Sequence, residues 1–242
     1  MPGLVLNRKD IDHTHQIETV LNVYKKDKRT VVEIYDTIVP WKLDAGEPGV
    51  TEVEIKNTLN EAEGDLDVRI NSRGGEMGAS LGIYNALKNY DKGAKSAIVE
   101  GYAFSSAGWL PMACENRSIA TGGIFMCHNP QMKPPITSLK DIEGVRNQWQ
   151  AHHKSIVDIF TEATNLTETE VSDMMEAETF LSAKEAVAKG LFQKIHNSKA
   201  NLATLNYAPP ANLPSTFTIP KDVVPSMEPL FLQRKRMLQK VK

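Results

Sequence analysis

A chain of 242 residues with 41% hydrophobic content is long enough for one large domain with tails or for two small domains, and apolar enough to build a core. Its 28 basic and 30 acidic residues leave a net charge of −2, so no global field draws the protein onto nucleic acid or a membrane face. Two cysteines exclude a disulfide framework, the Leu4-Val5-Leu6 patch is too short for a secretory core, and no apolar run approaches the roughly 20 residues that span a bilayer. A reducing cytoplasm is the expected compartment.

In chain order, residues 1–29 are polar, with DHTH at 12–15 and KKDKR at 25–29, and read as a loosely held arm. TVVEIYDTIV (30–39) is β-branched and aromatic, as a strand requires, and EVEIKNTLNEA (52–62) spaces Val53, Ile55 and Leu59 for a helix. LDVRINS (66–72) alternates like a strand, ends in RGGEMGAS and leads to a helix over 80–90. The pattern recurs: AKSAIVEGYAF (94–104) is a strand, and SSAGWLPMAC (105–114) is predicted to open a second helix. RSIAT (117–121) and the apolar part of GGIFMCHNP (122–130) are further strands. Successive strand–helix units imply an α/β fold with parallel strands, whose sites lie at the strands' carboxyl ends.

Beyond Pro135 the composition turns helical. Ser138 and Asp141 mark a start, and Ile142, Val145, Trp149, Ile156, Ile159 and Phe160 form one stripe of a long helix over 138–163. One small domain cannot cover that whole stripe, which implies self-association. Thr167 with Glu170 and Ser182 with Glu185 are capping boxes for helices over 168–176 and 183–189, the latter stopped by Gly190. Residues 198–242 hold six of the 13 prolines, finish in QRKRMLQKVK and read as an extended tail. The domain plan is therefore an arm (1–29), a catalytic domain (30–197) and a tail (198–242).

Four fragments carry chemistry: INSRGGEMGAS (70–80), EGYAFSSAG (100–108), MCHNP (126–130) and MEAETFLSAKEA (175–186). Singly they are weak, since a glycine pair usually makes a turn and a serine before a helix usually caps it. Together they supply what acyl transfer needs. A serine hydroxyl needs an adjacent base, for which His128 is the candidate, and the imidazole needs a carboxylate behind it, for which Glu178 is the candidate. Backbone N–H groups must meet the oxyanion, and Gly74 and Gly75 allow a close backbone approach. His152 with His153, and His13 with His15, lack ligand partners at metal-binding spacing and read as surface residues. No cofactor or metal is expected.

In this order and spacing, INSRGG, GYAFSSAG, MCHNP and ETFLSAKEAVAKGL resemble the ClpP-type serine peptidases, and particularly the branch encoded by tailed phages as head-maturation (prohead) proteases. The resemblance covers residues 30–196. It implies the ClpP/crotonase fold, with repeated β-β-α units and the long helix as a protruding handle. It places the nucleophile four residues after Gly101, at Ser105, the base at His128 and the acid at Glu178. It places the oxyanion donors at the backbone N–H groups of Gly75 and Ser106, the Ser106 hydroxyl being left to cap the helix. Implied partners are further copies of the chain, in a heptameric or double-heptameric ring, and protein substrates such as capsid and scaffold proteins, in the host cytoplasm or prohead interior. Neither nucleic acid nor membrane is implied. Arg73 stands where the housekeeping pattern has Pro, and Glu178 where it usually has Asp. Both departures point to the phage branch, and Arg73 leaves the glycine loop freer or tethered by an ion pair. Three rivals stay open: a non-catalytic ClpP-like capsid assembly protein, the proteolytic subunit of an ATP-fed Clp machine, and a crotonase-like acyl-CoA enzyme.

Overall fold

The computed structural model describes residues 21–26, 29–43, 47–132, 134 and 138–197. Most of the arm, with His13 and His15, and the Pro-rich tail lie outside them. The elements run β1 (Leu21–Lys26), β2 (Arg29–Ile34), α1 (Glu52–Glu61), β3 (Leu66–Ser72), α2 (Met77–Lys88), β4 (Lys95–Phe104), β5 (Asn116–Ala120), β6 (Ile124–Met126), α3 (Leu139–Ala163), α4 (Glu168–Glu176), β7 (Phe180–Ser182), α5 (Ala183–Ala188) and β8 (Lys194–His196). This is the expected α/β class.

The sheet has the order β1-β2-β3-β4-β5-β8, with β6 on β4 and β7 on β6; the β1–β2 and β6–β7 pairs are antiparallel and the rest parallel. β1 lies in the segment expected to be a loose arm. Its six residues pair with β2 from Leu21↔Ile34 to Lys26↔Arg29, and Lys25 reaches Glu63 at 3.2 Å. Polar composition hides such an edge strand, because its stabilisation is ladder hydrogen bonding rather than apolar periodicity.

Alternation places the core. Leu66, Val68 and Ile70 of β3 are fully buried together with Val31, Val32 and Ile34 of β2 and Val99 of β4. Fully burying side chains of this size contributes about 1.5–3 kcal/mol each. Thr51 and Glu54 close a capping box on α1, and the boxes at Thr167 and Ser182 form on α4 and α5 as their sequences predict. Buried Arg117 fastens three chain segments at once: it donates to the carbonyls of Leu191 (3.1 Å), Cys114 (3.0 Å) and Ala163 (2.7 Å). Burial pulls its pKa below the ordinary guanidinium value.

One irregularity sets up the site. β3 and β4 pair as Ile70↔Val99 and then as Ser72↔Ala103, so β4 carries two extra residues across the shift. Gly101 lies in that excess: a Cβ there would stand 2.3 Å from Asn71 Oδ1, which accepts the Tyr102 N–H at 3.0 Å. The bulge bends β4 away from its first partner. Ser96–Val99 pair with β5, whereas Tyr102–Phe104 pair with β6, and the end of β4 is thereby aimed at the segment that carries His128.

The long helix divides into two halves. Ile156, Val157, Ile159 and Phe160 are buried, while Leu139 is 81% and Ile142 49% exposed. The N-terminal half borders an open groove of about 630 Å³ that includes Pro130, Met132, Ile142 and Trp149. Trp149 donates to the Pro130 carbonyl at 2.9 Å and stacks on His153.

Candidate active site

β4 ends at Phe104, and the residues after it form two short 3-10 turns, Ser105–Gly108 and Leu110–Ala113, in place of the α-helix expected over 105–114. Pro111 lacks the N–H an α-helical turn would need there, which is why the segment stays short. Ser105 adopts φ +52°, a left-handed conformation that costs a non-glycine residue roughly 1–3 kcal/mol and collects at functional sites. It resembles the sharp strand-to-helix turn that presents a nucleophile's Oγ above a sheet.

The two adjacent serines have separate fates. Ser105 Oγ stands 2.6 Å from His128 Nε2. Ser106 is buried, and its hydroxyl caps no helix: it accepts the Gly75 N–H at 2.8 Å and lies 2.7 Å from Ser80 Oγ. The expected cap fails because the turn begins at Ser105, so Ser106 lies inside it. Its backbone N–H falls in the first turn, where helical donors have no intrahelical partner.

His128 lies two residues past β6 and is clamped on both sides by the α4–β7 corner. Cys127 N–H donates to Thr179 O at 3.1 Å, and Asn129 N–H donates to Met175 O at 3.2 Å. With Nε2 accepting from Ser105, the ring proton sits on Nδ1, and that nitrogen is buried without a partner among the described residues. Glu178 occupies the same corner in a left-handed conformation of φ +46°, but its side chain is exposed and makes no hydrogen bond to the imidazole. The backbone thus brings residue 178 beside His128, while the carboxylate is not brought onto Nδ1.

The glycine pair is a tight fit. A Cβ on Gly75 (φ +158°) would lie 2.0 Å from Ile38 O, and one on Gly74 (φ +84°) would lie 2.6 Å from Phe104 O and 2.8 Å from Ser106 N. The loop is pinned by the Ile38 N–H on Gly74 O at 2.9 Å and by the Glu76 N–H on Ile38 O at 2.8 Å. Arg73 makes no ion pair among the described residues; its guanidinium lies 5.5 Å from the Tyr102 ring centre. Tyr102 stacks on Phe104 at 4.5 Å, and Phe104 meets Phe180 edge-on at 5.6 Å, so an aromatic row flanks the Ser105–His128 pair.

Sequence reasoning missed Ser80, Ile38 and Asn71, which brace the glycine loop and the β4 bulge. A hydroxyl within a helix and an isoleucine in a loop carry no local signal of such roles. Burial pushes both cysteine thiols up to about 12, so Cys127 beside the imidazole is no rival nucleophile. Among the described residues no group of three His, Cys, Asp or Glu could hold a metal, and no helix is long and apolar enough to cross a membrane.

A family model described as Clp protease matches residues 57–199, which takes in Gly75, Ser105, His128 and Glu178. The chain belongs to the Clp protease family. It is similar to an ATP-dependent Clp protease proteolytic subunit 1 of Chlamydia abortus, 29% identical over 129 residues, covering 52% of this chain and 67% of the relative. It is 28% identical to the ATP-dependent Clp protease proteolytic subunits of Chlorella vulgaris, over 54% of this chain and 65% of the relative, and of Deinococcus radiodurans, over 55% and 65%. The chain thus spans about two thirds of the length of these curated relatives.

Proposed function

We propose that the protein is a serine endopeptidase of the Clp type that cleaves peptide bonds through an acyl-enzyme on Ser105. The observation that carries this reading is the 2.6 Å contact between Ser105 Oγ and His128 Nε2, made from a left-handed backbone at Ser105. His128 Nε2 takes the Ser105 proton as Oγ attacks the carbonyl carbon, then returns it to the leaving amine. A water deprotonated by the same nitrogen then releases the acyl group. The backbone N–H groups of Gly75 and Ser106 receive the oxyanion. Glu178 is the acid: the buried, unpartnered Nδ1 proton needs an acceptor, and the clamp at 127 and 129 keeps the Glu178 corner beside it. A fluorophosphonate probe is expected to label Ser105, with the adduct mapped by mass spectrometry and absent in Ser105→Ala. Labelling that survives that substitution would overturn the reading.

The finer reading is a phage head-maturation protease acting on capsid precursor and scaffold, in the host cytoplasm or prohead interior. Arg73 and Glu178, the two departures from the housekeeping pattern, support it. Co-expression with a capsid precursor, followed by mass spectrometry of assembled particles, tests it: processing must disappear in Ser105→Ala. The relatives are named as subunits of ATP-dependent proteases, which favours a second reading, a chamber fed by an unfoldase. Cleavage of unfolded protein without any nucleotide-driven partner would count against that one. A homo-oligomeric ring is supported by the exposed apolar N-terminal half of α3. Leu139→Asp with Ile142→Asp should lower the particle mass measured by light scattering, and an unchanged mass would rule that face out as the contact.

A further inference from the structure

The buried hydroxyls beneath the glycine loop form a connected chain that the catalytic reading leaves unused. Gly75 N–H donates to Ser106 Oγ at 2.8 Å, Ser106 Oγ and Ser80 Oγ stand 2.7 Å apart, and Ser80 Oγ donates to the Glu76 carbonyl at 2.7 Å. Each hydroxyl has one proton to give. The Glu76 carbonyl can only accept, so Ser80's proton goes there, and the proton between the two serine oxygens belongs to Ser106. Its other acceptor, Gly75 O, is distant at 3.4 Å. The arrangement that satisfies every short contact runs in one direction, from the Gly75 amide through Ser106 and Ser80 to a carbonyl, and hydrogen bonds aligned in this way strengthen one another. Ser80 is fully buried and Ser106 is 2% exposed, so no bulk water competes for these groups.

The start of that chain is the amide assigned above to the oxyanion. We infer that the Ser106 hydroxyl is a positioning group that caps the Gly75 amide in the resting site, and that the substrate's carbonyl oxygen must displace it to complete the oxyanion hole. This rests on the reading of Gly75 and Ser106 as the oxyanion donors. The peptide plane between Gly74 and Gly75 is held at its other end, where Gly74 O accepts from Ile38 N–H at 2.9 Å. Either movement breaks two hydrogen bonds. Turning the plane also shifts a loop packed so closely on Ile38 and Phe104 that a Cβ at Gly75 or Gly74 would lie 2.0 Å or 2.6 Å from their carbonyl oxygens, whereas rotating Ser106 moves one side-chain oxygen. The serine therefore moves and the loop stays. The exchange is downhill once charge develops, because an N–H bonds an oxyanion roughly twice as strongly as it bonds a neutral hydroxyl.

Two measurements on the whole 242-residue chain separate this inference from the hydrolytic reading. Hydrogen exchange read by mass spectrometry tests the chain itself, whatever the activity: the Gly75 amide should exchange slowly in the wild type and at least about tenfold faster in Ser106→Ala, where its acceptor is gone. The second-order rate of fluorophosphonate acylation at Ser105 tests the consequence. Ser106→Ala should raise it about fivefold, with a smaller rise in Ser80→Ala, which only loosens the anchor. For a peptide substrate the gain should appear in kcat with KM unchanged. If both variants acylate more slowly, in step with a lowered Tm, the hydroxyls merely support the loop and the inference is overturned. Unchanged exchange at Gly75 in Ser106→Ala overturns it as well. Failure of the wild type to label at Ser105 at all would instead strike the proposed hydrolysis and leave the exchange result standing.

Discussion

The candidate site has two sides that differ in how they are held. On the sheet side, Ser105 and His128 sit one and two residues past strands β4 and β6, which pair directly through Phe104↔Met126, and their side chains meet at 2.6 Å. On the corner side, Glu178 lies between α4 and β7, where its neighbours Thr179 and Met175 accept from the backbone N–H groups of Cys127 and Asn129 while its own carboxylate is exposed. A single folded chain thus aligns the proposed nucleophile and base through strand register, whereas the proposed acid shares their neighbourhood only through its backbone. Catalytic hydrogen bonds of this kind commonly tighten only when substrate is bound.

The comparison can be broken or sharpened in order of effect. His128→Ala removes the proposed base on the well-held side and should lower kcat/KM by about 10³-fold or more, measured on a peptide that Ser105→Ala does not cleave. Gly75→Ala places a methyl group where Ile38 O already lies at 2.0 Å, so the loop must shift; kcat should fall at least about a hundredfold, with a lowered Tm. Glu178→Gln keeps size and removes charge, and with the carboxylate off the imidazole should cost less in kcat than the roughly 10⁴-fold typical when a well-held triad acid becomes its amide. A loss as large as that of His128→Ala would show that the corner is as tightly organised as the sheet side.

Two further measurements read structure alone. Arg117→Met removes three charge-assisted hydrogen bonds behind the site and should destabilise the fold by about 3 kcal/mol in urea denaturation, leaving three carbonyls unpaired. The smallest effect is a difference in alkylation. Burial holds Cys127 near 12, so at pH 8 it should resist iodoacetamide until the protein unfolds, while a thiol introduced as Glu178→Cys should react at once. Equal reactivity at the two positions would erase the contrast between the sides.

Much of this was legible in the order of residues. Alternation over 66–72, the capping boxes at Thr167 and Ser182, and the stripe of the long helix are local patterns, and each matches an element to within a few residues. The choice of Ser105 over Ser106 came from motif register, and the geometry gives the two serines distinct partners. The segment 105–114, expected to open a helix, stays as two short 3-10 turns because Pro111, near the start of the second, lacks the N–H that would continue an α-helical ladder. The strand at Leu21–Lys26 was invisible because an edge strand needs a partner more than a pattern.

Local sequence determined the α/β class, the caps and the four chemical fragments, since these depend on neighbours within a turn or a strand. Tertiary structure alone decided that β4 changes partners at Gly101, that Ser80 and Ser106 lock the Gly75 amide, and that Glu178 faces outward. Those outcomes depend on contacts between residues 20 or more apart, which are fixed by packing and by the tendency of buried polar groups to pair, and no short window of sequence contains both partners.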